Sequence, residues 1–158
     1  MCDYLDYEQT DSVASYTQPI MGGRVKKGTI LLVQGKYACR VVEIDIAKTG
    51  KHGSAKASFV GLDIFNGHKH EMLTTTHSRV AEVVVKRQEY LLLDITDDGF
   101  LSLMRDDGEV RHDLELPPKG LNQDTRGRIE TMFDMGKDVK VTVMAAMGKE
   151  MPVDAKLA

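Results

Sequence analysis

Tyr90-Leu91-Leu92-Leu93-Asp94-Ile95-Thr96, Asp97-Asp98-Gly99, Phe100-Leu101-Ser102-Leu103-Met104, Asp106-Asp107-Gly108 and Val110-Arg111-His112-Asp113-Leu114-Glu115-Leu116 follow one another with only Arg105 and Glu109 between them. Apolar runs of strand length alternate with Asp-Gly turns, the signature of consecutive tight hairpins. Pro117-Pro118 closes the series, since proline cannot donate to a strand ladder. The paired carboxylates at Asp97-Asp98 and Asp106-Asp107 imitate a catalytic pair, but each directly precedes a turn glycine, and turn chemistry accounts for them.

The pattern changes after this stretch. From Leu121 to Met135, Leu121, Ile129, Met132 and Phe133 fall on one helical face, and Gly136 is placed to cap the end. Gly127 within the run opposes a helix. Val139 to Met144 predicts a last strand, with fraying after Gly148. Before Lys86 the chain is also built of short β-rich runs: Thr29 to Val33, Ala38 to Ile46, Ala55 to Phe65 with an Asn66-Gly67 hairpin signal, and Val80 to Val85. Four or five strands before Lys86, four or five after it and one late helix predict an all-β protein of two small barrels. The second suits an oligonucleotide-binding-type fold; a single large sandwich is the competing architecture.

Charge divides the chain in the same places. Residues 1–17 carry four acids and no base and read as a flexible acidic tail. Residues 18–84 carry ten bases against five acids, and residues 85–158 eleven bases against fifteen acids, within a total of −3. A basic unit between acidic ones attracts a phosphate-rich partner. A boundary at residues 84–86 follows from the change of sign. The apolar runs fall far short of the ~20 residues of a membrane helix. No basic region followed by an apolar run opens the chain, so no secretory signal is expected. Cys2 and Cys39 form neither a CxxC pair nor an expected disulfide. A soluble protein of a reducing compartment, the cytoplasm, is expected.

The connection Lys48-Thr49-Gly50-Lys51-His52-Gly53-Ser54-Ala55-Lys56 concentrates three lysines, a histidine and two glycines. Glycines bracketing Lys51-His52 suit a tight hairpin tip that lifts the lysine into solvent. By composition alone this is a solvated surface turn. A phosphate-binding P-loop is excluded, because Asp45 stands where that motif needs glycine and His52 where it needs Ser or Thr. A Schiff-base lysine needs desolvation or a charged neighbour, and a glycine-flanked tip supplies neither.

Thr49 to Lys56 closely resembles the hypusine loop of the eukaryotic translation initiation factor five-A family, usually Thr-Gly-Lys-His-Gly-His-Ala-Lys. Cys39-Arg40-Val41-Val42-Glu43, Asp63-Ile64-Phe65-Asn66-Gly67, Thr76-His77, Leu101-Ser102-Leu103-Met104, Gly108-Glu109-Val110-Arg111, Asp113-Leu114 and Ala146-Met147 resemble further segments of that family, in the same order. Ser54 stands where the family has histidine, and Val83-Val84-Val85 lacks a proline often found there.

The resemblance implies an SH3-like barrel over 18–84, carrying the loop 48–56, and an oligonucleotide-binding-fold domain over 85–158. It implies that deoxyhypusine synthase extends Lys51 with an aminobutyl group from spermidine and that deoxyhypusine hydroxylase completes hypusine. Lys48, Thr49, Gly50, His52, Gly53, Ser54 and Lys56 are then the loop and RNA-contact residues. The implied role is a non-catalytic elongation factor that binds the ribosome, ribosomal RNA and peptidyl-tRNA. It orients the acceptor end at poor sequences such as proline runs and aids termination, without metal or cofactor beyond the hypusine modification. A general RNA-binding module off the ribosome and a Schiff-base enzyme are the alternatives. His68, His70 and His77 could be arranged as zinc ligands, but they read as solvated histidines on a polar strand, and His112 as a lone exposed one. The nine methionines read as core filling, and 6 % aromatics give little support to a broad base-stacking platform.

Overall fold

The computed structural model describes residues 16–48 and 55–158. Among these, the first sheet comprises β1 (Thr17–Met21), β2 (Ile30–Val33), β3 (Tyr37–Ala47), β4 (Lys56–Asp63), β5 (Lys69–Thr75) and β6 (Arg79–Val83). Its order is β1-β6-β2-β3-β4-β5. The second sheet takes β7 (Lys86–Ile95), β8 (Phe100–Met104), β9 (Val110–Glu115), β10 (Val139–Ala146) and β11 (Lys149–Leu157) in the order β11-β10-β7-β8-β9, with helix α1 (Leu121–Asp134) between β9 and β10. The chain forms two compact units, one running to Val84 and taking in 146–148, the other made of 85–145 and 149–158. Among the described residues the architecture is all-β with one α-helix longer than a turn, an SH3-like barrel followed by an oligonucleotide-binding-type barrel.

Each unit has its own core. Val25, Leu31, Val33, Cys39, Val41, Ala57, Phe59 and Val80 pack together in the first. Tyr90, Leu92, Leu101, Leu103, Leu114, Ile129, Val139, Val141, Val143 and Ala155 pack in the second. In β8 the alternation is simple: Leu101 and Leu103 face in, while the Ser102 hydroxyl lies 2.9 Å from Nδ1 of exposed His112 on β9. β3 is irregular, with a register shift between Val41 and Glu43 against β4, so that the Glu43↔Val60 pairing resumes one residue on.

The two Asp-Gly turns form as the sequence predicts, with Gly99 at φ 86° and Gly108 at φ 88°, and Asp107 Oδ1 accepts the Glu109 N–H at 3.0 Å. Elsewhere the structure departs from expectation. β1 begins at Thr17, inside the predicted tail, because Thr17–Met21 pairs with β6 from Val83 to Arg79. The Asn66-Gly67 signal does not make a two-residue hairpin, since β4 ends at Asp63 and β5 starts only at Lys69. Asp63 Oδ1 accepts the Phe65 N–H at 2.7 Å and Asn66 Oδ1 that of His68 at 2.9 Å, which holds a longer turn. The end of the chain does not fray. A turn at Met147-Gly148, both at positive φ, sends it back as β11, where Met151, Pro152 and Ala155 are buried.

β9 and β11 are the two free edges of the second sheet, and Arg111 ties them. Its guanidinium donates to both oxygens of Asp113 on β9 (2.8 and 2.7 Å) and both of Glu150 on β11 (2.8 and 3.0 Å). It also reaches the Tyr90 hydroxyl at 3.1 Å and stands 5.7 Å from that ring's centre. A bidentate fork that closes a barrel leaves less open edge for mispairing.

The helix is right-handed only from Thr125. Asn122, Gln123 and Asp124 sit at φ 55°, 60° and 57°, a left-handed turn. Such a turn costs about 1–2 kcal/mol per non-glycine residue, so it requires compensation. Arg128 supplies it, donating to the Asn122 carbonyl (3.2 Å) and the Gln123 carbonyl (3.3 Å) while gripping Asp154 (2.8 Å) and the Ala155 carbonyl (3.2 Å) on β11. The buried Thr125 hydroxyl lies within hydrogen-bonding distance of the Asn122 carbonyl (3.0 Å) and the Val153 carbonyl (2.8 Å). Gly127, an anomaly by helix propensity, is explained here. A Cβ at that position would collide with the Asp124 carboxylate, whose Oδ1 accepts from the Gly120 N–H at 3.1 Å and lies 3.4 Å from the Gly127 N–H.

Candidate functional site

Thr49, Gly50, Lys51, His52, Gly53 and Ser54 lie outside the described residues. Their two neighbours in the candidate site, Lys48 and Lys56, are exposed at the ends of the strands that the loop connects. What the structure defines is the stem. β3 and β4 pair from Cys39↔Asp63 up to Ala47↔Lys56, the last rung before the loop. Two residues of β4 root the stem in the core, Ala57 at 0 % and Phe59 at 1 % exposure. Pulling this hairpin out of register would expose Phe59, a loss of ~1.5–3 kcal/mol from burial alone.

A second turn braces the same end. β5 pairs with β4 up to Lys56↔Thr75, and the ladder continues as Thr76 N–H donates to the Ala55 carbonyl at 2.9 Å. Gly23 N–H in turn donates to the Thr76 carbonyl (2.9 Å) and Gly22 N–H to the Ser78 carbonyl (2.8 Å). The approach is so close that a Cβ on Gly22 would lie 2.5 Å from the Thr75 carbonyl oxygen. Ala55, at the loop's foot, is thus held through Thr76 to the Gly22-Gly23 backbone. The close approach of Gly22-Gly23 to 75–78 has no local signal in the sequence.

Most exposed cations of the first unit have no carboxylate partner among the described residues. Arg24, Lys26, Lys27, Lys36, Arg40, Lys48, Lys56 and Arg79 are exposed, and the only ion pair among the described residues of this unit is Lys69–Glu71 at 3.9 Å, itself exposed and weak. In the second unit, Arg111, Arg126, Arg128 and Lys156 hold carboxylates at 2.7–3.2 Å. Cations left free on one unit are available to an external polyanion.

Of the histidines, His77 is exposed beside the brace, while His70 is not the solvated residue expected. Its ring stacks on Tyr37 at 3.9 Å between centroids and 13° between planes. His70 pairs with Gly61 on β4. Among the described residues no group of three or more His, Cys, Asp or Glu is placed to hold a metal. Cys39 is buried with a free thiol, its pKa pushed up to about 11 by burial and by nearby Asp63, so it is inert at neutral pH. No helix among the described residues is long and apolar enough to cross a membrane.

An SH3-like barrel followed by an oligonucleotide-binding-type barrel defines a class of two-barrel proteins. Residues 15–78 match the family model described as translation initiation factor 5A-like, N-terminal, and residues 84–156 the one described as eukaryotic elongation factor 5A hypusine, DNA-binding OB fold. Eukaryotic translation initiation factor 5A-1 of Saccharomyces cerevisiae is 40 % identical over 152 residues, covering 96 % of this chain and 93 % of that one. Among solved structures, a translation initiation factor eif-5a family protein of Naegleria fowleri superposes with a TM-score of 0.78 at 38 % identity, covering 90 % of this chain and 99 % of that one. The eukaryotic translation initiation factor 5A of Methanococcus jannaschii superposes with 0.69 at 25 % identity, covering 89 % and 95 %. The chain belongs to the eukaryotic translation initiation factor 5A family of translation factors.

Proposed function

We propose that this translation factor acts in elongation on the ribosome through a hypusine built on Lys51. Deoxyhypusine synthase attaches the spermidine-derived aminobutyl group, and deoxyhypusine hydroxylase completes it. Docking along ribosomal RNA and tRNA backbones is electrostatic, through the free cations of the first unit. The lengthened side chain then reaches the acceptor end of peptidyl-tRNA and holds it in a reactive pose. That is an orientation effect without bond chemistry by the factor itself. Slow donors such as proline runs gain most, and termination gains by the same positioning. Lys48, Thr49, Gly50, His52, Gly53, Ser54 and Lys56 form the surface read by the modifying enzymes and by RNA, in the cytoplasm.

The observation that carries this reading is the braced stem. The β3–β4 hairpin is rooted by Ala57 and Phe59 and held at Ala55 by Thr76. A stem fixed in this way can deliver a side chain to a defined point, which a solvated turn has no need to do. The test is intact and peptide mass spectrometry on protein from its native cells, paired with a reconstituted translation assay on a proline-run message. The expected result is one spermidine-derived addition on Lys51 and stimulation by modified protein alone. Unmodified Lys51 in native material, or equal stimulation by bare protein, rejects the mechanism in favour of general RNA binding.

A further inference from the structure

One cleft of the second unit has the opposite character to the cationic first unit. It opens between the β7–β8 turn and residues 126–134 of α1, with a volume of about 410 Å³. Its floor is apolar: Ile95, Leu116 and Phe133 are half-buried side chains that pack against the core of the unit without being fully covered. Its rim is acidic, with exposed Asp97 and Asp98 on the turn and exposed Asp134 at the end of the helix. The cleft's one cation, Arg126, is held by Glu130 at 3.2 Å. Turn chemistry does not occupy the Asp97 and Asp98 carboxylates. In the following turn Asp107 Oδ1 accepts a backbone N–H, but here Thr96 does that work. Its carbonyl accepts from the Gly99 N–H and its Oγ1 from the Phe100 N–H, each at 3.0 Å. Asp97, Asp98 and Asp134 have no cationic partner among the described residues, whereas Glu89, Asp113, Glu150 and Asp154 of the same unit are ion-paired.

We infer that this cleft docks a basic segment of a protein partner, with one apolar side chain on the floor and flanking Lys or Arg side chains against Asp97, Asp98 and Asp134. Charge selects the occupant. Nucleic acid and an anionic membrane surface are repelled by three unpaired carboxylates, and so is the chain's own segment 1–17, with four acids and no base. In oligonucleotide-binding-type barrels the turn joining the first two strands commonly meets nucleic acid. Here that turn carries Asp97-Asp98, which suits it to cations instead. The C-terminal end of α1, right-handed from Thr125, adds partial negative charge beside Asp134. A metal ion fits worse than a peptide, since no group of three or more ligating side chains among the described residues is placed to hold one. An apolar anchor on the floor supplies affinity, and opposite charges at the rim supply selectivity and a fast approach. The site uses no residue of the lysine loop and therefore stands apart from the hypusine mechanism.

NMR titration of the full unmodified chain with the peptide Gly-Lys-Arg-Leu-Arg-Lys-Gly tests it, with fluorescence anisotropy of the labelled peptide giving the affinity. Saturable amide shifts are expected at residues 95–99, 116 and 126–134. Asp97→Asn/Asp98→Asn keeps the turn, since Asn-Gly favours the same hairpin, and should weaken binding about fivefold, the effect of two rim ion pairs. The same loss of charge by Asp106→Asn/Glu109→Gln, on the next turn, should leave binding unchanged. Replacing the peptide's Leu by Ser reads the apolar floor without altering the protein, and it too should weaken binding. No saturable shift at the cleft, or equal affinity of the Asn variant, overturns the proposal. So does equal binding of the Ser peptide, or equal displacement by spermine at the same charge concentration, either of which reduces the cleft to a general cation surface. Shifts at the same residues on raising the protein concentration alone would give the cleft to a second copy of the chain and overturn it as well. Lys51→Arg in the same assay should bind like the unaltered chain, so failure of the hypusine mechanism leaves this result readable.

Discussion

Replacing Lys51 by arginine separates charge from extension. If the residue served only as a cation beside phosphate, arginine would do as well or better, since its planar fork binds phosphate in a bidentate way. An aminobutyl acceptor has no such substitute, because the transfer requires the lysine amine. Lys51→Arg is expected to shift folding stability by less than about 0.5 kcal/mol and to abolish stimulation of proline–proline synthesis. Full activity in a reconstituted translation assay would reject modification dependence. Lys51 stands out in the sequence because its neighbours form a motif, although it lies outside the described residues, whereas other single residues misled. Gly127 spoke against a helix on propensity, yet here the Asp124 carboxylate occupies the place of a Cβ. Propensity alone makes Gly127→Ala stabilising by ~1 kcal/mol. The packing reverses that sign, and thermal unfolding should show a lower midpoint; a higher one would mean that Asp124 has another place to go.

At the scale of elements, α1 shows how far periodicity reaches. Ile129, Met132 and Phe133 do pack on the core, and Gly136 does end the helix at φ 70°. The left-handed turn at Asn122–Asp124 could not be read, because it exists by grace of Arg128, Thr125 and the backbone of β11, all tertiary. β1 and β11 escaped notice for the same reason: each is a strand because a neighbour pairs with it, not because its own residues alternate. Arg128→Ala should therefore cost about 1–3 kcal/mol, more than a surface ion pair, because it strands the Asn122 and Gln123 carbonyls. The same contacts set the acid response. Hydrogen bonds from Arg128 and Arg111 hold the Asp154 and Asp113 carboxyls below the usual carboxylate range. With the folded pKa depressed, their stabilisation is complete above the unfolded value of ~3.9 and is lost as pH falls through the folded one. Melting of the second unit should thus be flat from neutral pH down to about 5 and drop below about 4. Arg128→Ala should flatten that drop when followed by circular dichroism; an unchanged acid limb would assign it to other carboxylates.

At the scale of the whole molecule, charge sign and strand spacing suggested two barrels, and physical independence can now be argued from the cores. The buried cluster of the first unit draws on Val25 to Val80 and that of the second on Tyr90 to Ala155, with no residue in common. The sheets share no strand either. A domain needs its own core and internally satisfied backbone to fold alone, and each strand set meets that condition. The fragments are small, and at this size burial barely exceeds the entropy of ordering the chain, so modest stabilities are expected. The second has additional ties, the Arg111 closure and the Arg128 grip on β11, whereas the first has one weak ion pair and eight exposed cations that repel one another. We therefore predict that fragments 1–84 and 85–158 each give dispersed amide NMR spectra, and that 1–84 melts earlier. Added sulfate or phosphate should raise the midpoint of 1–84 by screening and binding its cations, and should move that of 85–158 less. Collapsed, coil-like spectra from both fragments would mean that the two sheets fold only as one body, and the boundary at 84–86 would have to be abandoned.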